Sequence, residues 1–91
     1  MKPFVEVSEE TDLLEDENYT NKLVVLNDDV NTFDHVIITL VNVCRHSIEQ
    51  AEQCAMIIHT KGKCSVKEGS FEELIPMKNA ITDAGLWAKI D

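Results

Sequence analysis

Three glycines occur in ninety-one residues, Gly62, Gly69 and Gly85, and each falls where one patterned segment gives way to another. Between them the chain from Lys22 onward divides into six short elements. Leu23-Val24-Val25-Leu26 is an apolar run ended by Asn27-Asp28-Asp29, which reads as a buried strand entering a turn. Asn31 or Thr32 can cap a following helix, with Asp34 in its first turn, where the helix dipole favours negative charge. Val36, Leu40 and Val43 recur at helical spacing, Ile37 and Val41 widen the stripe, and the helix is expected to end near Arg45-His46. Ser47-Ile48-Glu49-Gln50 has the form of a capping box and opens a second helix. Ile48, Ala51, Cys54, Ala55 and Ile58 share one side of it, and Gly62 is its stop. Lys63–Lys67 is a short strand closed by Gly69, and Ser70-Phe71-Glu72-Glu73 is a second capping box, leading a third helix towards Ala84. Pro76 lacks an N–H, so a kink or a delayed start is expected there. After Gly85, Leu86–Ile90 alternates as a final strand. The order β-α-α-β-α-β predicts an α+β sandwich of three antiparallel-type strands and three helices.

Charge divides the chain further. The first twenty residues hold seven acids against Lys2, a net of −6 out of the whole chain's −9. That stretch has few large apolar residues and no sustained periodicity, so it cannot bury enough surface to offset chain entropy. The expected organisation is a disordered acidic arm over residues 1–20 and a compact core over 21–91. The overall acidity argues against nucleic acid and anionic membrane as partners, since phosphate binding needs a basic face. A membrane span needs ~20 apolar residues in a row, which the sequence lacks, and the start has no signal-peptide core. Cys44, Cys54 and Cys64 are odd in number and form no CxxC pair, which fits free thiols in a reducing, cytoplasmic setting. Together with His35, His46 and His59 they lack the close paired spacing of structural zinc sites, so no metal is expected.

Catalytic signatures are missing as well. The chain has no GxSxG, no glycine-rich phosphate loop and no HExxH, and neither an enzyme nor a cofactor is expected. Binding is the stronger reading. Asn27, Asp28 and Asp29 stand at the end of a buried strand, and His59 stands one turn after Ala55 near the end of the second helix. If the helix packs beside the turn, an amide oxygen, a carboxylate and a neutral imidazole nitrogen converge. A protonated primary amine carries three donors and one positive charge, which such acceptors would satisfy. The residues alone also permit a plain turn with a helix cap and a helix-end histidine.

Lys22-Leu-Val-Val-Leu-Asn-Asp-Asp29, then a helix, then Ala51-Glu-Gln-Cys-Ala-Met-Ile-Ile-His59-Thr-Lys-Gly62-Lys63 resembles the ClpS family over roughly residues 20–91. The resemblance implies a monomeric, non-catalytic adaptor of the N-end rule pathway. Such a protein binds N-degron peptides whose first residue is Leu, Phe, Tyr or Trp, and delivers them to a ClpA- or ClpC-type AAA+ unfoldase for degradation by ClpP. Carried over by position, Asn27, Asp29 and His59 would hold the free α-amine, with Asp28 supporting the electrostatics. Leu26, Phe33, Val36, Ala55, Ile58 and Leu86 would line the pocket for the first side chain. Glu72 on the third helix would dock on the N-terminal domain of the unfoldase, and the acidic arm would engage its pore machinery.

Some positions depart from the family. Val30 and His35 stand where relatives often place an aromatic or other large apolar residue, Phe33 where Met is common, and Ala55 where a bulky side chain lines the pocket. Phe33 can narrow the entrance while Ala55 deepens the floor. Pro76 in the docking helix is unusual. A second reading keeps the same architecture but drops peptide binding: an interaction domain like the C-terminal domain of the ribosomal stalk protein.

Overall fold

A computed structural model of the chain describes residues 20–91. The expected acidic arm, residues 1–20, lies outside them apart from Thr20. The six expected elements are present in the expected order: β1 (Asn21–Leu26), α1 (Phe33–Cys44), α2 (Ile48–Lys61), β2 (Lys63–Gly69), α3 (Phe71–Asp83) and β3 (Trp87–Ile90).

Side-chain caps begin all three helices. Thr32 accepts the His35 N–H at 3.1 Å, and Ser47 accepts the Gln50 N–H at 3.1 Å. Ser70 and Glu73 form a reciprocal capping box, with Ser70 Oγ accepting the Glu73 N–H and Glu73 Oε1 accepting the Ser70 N–H. Helix α2 stops at Gly62, whose φ of 95° is in the left-handed region that favours glycine. Helix α1 ends without a glycine, because Arg45 itself takes a left-handed φ of 60°.

Pro76 does not delay α3, which begins at Phe71 and runs through it. Its missing N–H removes one bond to the Glu72 carbonyl, which sits in an exposed turn where water can replace it. Ile48 is also less committed to the core than its place on the helix suggests, being 62% exposed at the first position of α2.

The sheet has the order β2-β1-β3, and both pairings are antiparallel. The register with β2 shifts between Leu23 and Val24, which pair with Lys67 and Ser65, so Val66 is the extra residue of a bulge. Leu23 and Val25 join Leu40, Ala51, Ile58, Leu74 and Ile81 in the buried core. Two histidines fasten the helices to the rest. His46 is 6% exposed and its Nε2–H donates to the Val66 carbonyl at 2.8 Å. The Nε2–H of His35 donates to the Ala84 carbonyl at 2.8 Å. A carbonyl only accepts, so Nε2 carries the proton in each ring.

Candidate functional site

The turn after β1 is built by its own side chains. Asp28 Oδ1 accepts the N–H groups of Val30 and Asn31, both at 2.8 Å, and Oδ2 accepts Asn31 Nδ2 at 2.9 Å. Both carboxylate oxygens of Asp28 are thus engaged within the turn. The Asn31 N–H holds this carboxyl below its ordinary value of 3.8, partial burial opposes the shift, and the other two bonds and nearby His35 add to it. The turn is tied to helix α2 by the Asn27 N–H, which donates to the Gly62 carbonyl at 2.8 Å. Gly62 caps the helix that carries His59 three residues earlier. The strand end and the helix end are therefore held side by side.

Between them lies a cavity of about 640 Å³, lined by Asn27, Asp28, Asp29, Asn31, Phe33, Val36, Ala55, Met56, Ile58 and His59. All four expected polar residues border it, and so do Phe33, Val36, Ala55 and Ile58. Leu26 and Leu86 instead border a smaller cavity of about 20 Å³, which shares Asn27, Asp28, Asn31, Val36 and Ile58 with the larger one. Glu72 is exposed in the first turn of α3 and does not line the cavity.

Two lining residues fell outside the sequence reading. Asn31 was read only as a possible helix cap, whereas Thr32 takes that role. Met56 is 52% exposed, at the mouth of the site beside buried Ala55. Its place one residue after Ala55 and three before His59 was the available signal.

The acceptors of Asn27, Asp29 and His59 share one cavity with the apolar side chains of Phe33, Val36, Ala55 and Ile58, a lining that suits a small cationic head attached to a hydrophobic body. The thiols of Cys44 and Cys64 are poorly suited to attack. Burial pushes Cys44 up to about 11. Cys64 is likewise pushed up to about 11, first by burial and then by its hydrogen bond with Cys54. At neutral pH these two are protonated, and the thiol is a weak nucleophile. Among the described residues, no three His, Cys, Asp or Glu side chains are grouped as metal ligands, and no helix is long and apolar enough to cross a membrane.

The family model for the ATP-dependent Clp protease adaptor protein ClpS matches residues 16–89. The ATP-dependent Clp protease adapter protein ClpS of Campylobacter jejuni (strain RM1221) is 40% identical over 60 residues, which span 66% of this chain and 60% of that protein. Its counterpart in Corynebacterium aurimucosum is 28% identical over 86 residues, 94% of this chain and 78% of that protein. Among solved structures, Agrobacterium tumefaciens ClpS2 bound to L-phenylalaninamide superposes with a TM-score of 0.77. That match is 23% identical and covers 80% of this chain and 95% of the other, a likeness of fold.

Proposed function

The chain belongs to the ClpS family of ATP-dependent Clp protease adaptors, and we propose that its cavity holds the first residue of N-degron substrates for delivery to a Clp unfoldase. Asn27, Asp29 and His59 receive the free α-amine, and Asp28 keeps their turn in place. Phe33, Val36, Ala55 and Ile58 enclose a large apolar first side chain (Leu, Phe, Tyr or Trp), with Leu26 and Leu86 supporting that wall from behind. The observation that carries this reading is the meeting of these acceptors and these apolar side chains at one cavity. The ligand of the Agrobacterium tumefaciens neighbour, L-phenylalaninamide, combines a primary amine with a benzyl side chain, which supports it.

Both halves of the site are needed. Burying a large apolar side chain contributes ~1.5–3 kcal/mol, and each charge-assisted hydrogen bond ~1.5–3 kcal/mol, before ordering costs. Association itself costs several kcal/mol, so neither half alone suffices for useful affinity. A Phe-initiated peptide should bind the protein at least about tenfold more tightly than its N-acetylated twin. Equal affinities in a calorimetric titration would overturn the amine-binding reading.

Delivery involves the rest of the molecule. Glu72, exposed at the start of α3, docks on the N-terminal domain of a ClpA- or ClpC-type unfoldase, and residues 1–20 engage its pore machinery. The adaptor acts as a non-catalytic monomer in the cytoplasm, upstream of ClpP. Removing residues 1–20 should spare peptide binding and slow degradation of a Phe-initiated substrate; undiminished degradation would take the arm out of the mechanism. The stalk-like alternative is not retained, because the chain belongs to the ClpS family.

A further inference from the structure

Asn31 joins two segments that are 54 positions apart in the chain. One side-chain N–H donates to Asp28 Oδ2 at 2.9 Å, and the other to the Gly85 carbonyl at 2.8 Å. Its backbone N–H donates to Asp28 Oδ1 at 2.8 Å. A side-chain amide has two N–H donors and one oxygen, and here both donors meet oxygens that only accept. Turned about, the amide would set its oxygen against a carboxylate and a carbonyl. The orientation is locked.

The surroundings reinforce this lock. Within the first turn of α1, the His35 Nε2–H holds the neighbouring Ala84 carbonyl at 2.8 Å. Two consecutive carbonyls of the α3–β3 junction are therefore gripped by two side chains, Asn31 from the turn before α1 and His35 from its first turn. Gly85 takes a φ of 95° there, a left-handed conformation that suits glycine. The turn from Asn27 to Asn31 is thus fastened at two places. On one side, the Asn27 N–H bonds Gly62 at 2.8 Å, beside His59; on the other, Asn31 bonds Gly85 at 2.8 Å. Hydrogen bonds weaken steeply as their angle departs from linearity, so acceptors on a turn fastened at one end only would lose strength towards a compact ammonium group.

We propose that Asn31 is the positioning residue for amine recognition, acting through Asp28 and Gly85 to hold Asn27 and Asp29 opposite His59. This rests on the amine-binding reading above. Asn31 need not touch the substrate, and the α3–β3 junction becomes an outer wall of the recognition site.

The test uses the full chain and compares affinities for a Phe-initiated peptide and its N-acetylated twin. The ratio of the two is the readout, because a variant that only destabilises the fold lowers both affinities together. Asn31→Leu keeps the size of the side chain and removes both donors. It should reduce the wild-type ratio by about tenfold. Asn31→Ser offers one donor, which can serve Asp28 or Gly85 but not both, and should fall between. A wild-type ratio in Asn31→Leu would overturn the proposal. If Asn31→Leu does not fold, as thermal denaturation would reveal, Asn31→Ser decides by the same ratio. A wild-type protein that binds both peptides equally would overturn the amine-binding reading and this proposal with it. A wild-type protein that discriminates, with both variants discriminating equally well, would overturn the positioning role alone.

Discussion

Asn27 and Gly62 share a backbone hydrogen bond of 2.8 Å that closes the polar turn after β1 against the end of α2. His59 lies within the last turn of that helix, so the bond sets how far the histidine sits from the Asn-Asp-Asp turn. The cavity between them owes its mixed polar and apolar lining to this junction of strand end and helix end.

The junction makes Gly62 a sensitive position. Its φ is 95°, and a Cβ built there meets nothing within 4 Å. Gly62→Ala is therefore expected to cost about 1–2 kcal/mol through backbone conformation and not through collision. Denaturant titration should give a lower midpoint with an unchanged slope. A neutral result would mean that the cap relaxes without strain.

Removing acceptors should weaken recognition without unfolding the domain. Asp29 and His59 are exposed at the cavity edge, so neither supports the core. Asp29→Ala and His59→Ala should each reduce affinity for a Phe-initiated peptide by about tenfold to a hundredfold, at ~1.5–3 kcal/mol per charge-assisted bond. The thermal midpoint should move little. A variant that binds as the wild type does would lose its assigned role.

Ala55 is 2% exposed and forms part of the cavity wall. Ala55→Met adds a long side chain at that wall. Binding of Trp- and Phe-initiated peptides should fall more than binding of a Leu-initiated one. Competition titrations with the three peptides read this directly, and a uniform fall would mean that Ala55 does not shape the space for the first side chain.

Asp28 should shape the acid limb of stability. Its carboxyl is held below 3.8 in the native state, chiefly by the Asn31 N–H. As pH falls past 3.8, the unfolded carboxyl takes up a proton before the native one does. The native state then loses, step by step, a contribution that is present above that pH. Asp28→Asn removes the titrating group, so its loss of stability below about pH 4 should be shallower than in the wild type. Equal slopes would show that other carboxyls dominate the limb.

Much of this molecule could be read along the chain. The caps at Ser47 and Ser70 are local patterns, whereas the meeting of Asn-Asp-Asp with His59 and Gly62 depends on the second helix packing beside the turn. The end of α1 carried no glycine, since Arg45 adopts the left-handed conformation usually reserved for one. Pro76 was harder to weigh, because the tolerance of a helix for a missing N–H depends on whether water can reach the freed carbonyl. Asn31 and Met56 escaped for a different reason. The role of Asn31 depends on Gly85, 54 positions away, and nothing in the local pattern announces that meeting. Met56 reads as an ordinary exposed helix residue until the turn is seen folded beside it. Leu26 and Leu86, expected to line the pocket, border a separate small cavity instead, because a local apolar pattern does not say which space a side chain faces.

The order β2-β1-β3 places the earliest strand among the described residues at the centre of the sheet. The Lys22 N–H and carbonyl both bond Asp91, and the side chain of Asn21 bonds its carbonyl across 70 positions. During synthesis, β1 therefore emerges with both of its partners still to come. It can pair with β2 once the two intervening helices are out, but its other edge stays open until β3 has left the ribosome. Loop-closure entropy grows only slowly with length, by ~0.6 kcal/mol per doubling, so this wait costs time more than stability. Leu23, Val24 and Val25, all buried in the finished sheet, belong to this waiting strand. For this member of the ClpS family, the central strand is thus the one whose pairing is completed only when β3 is made.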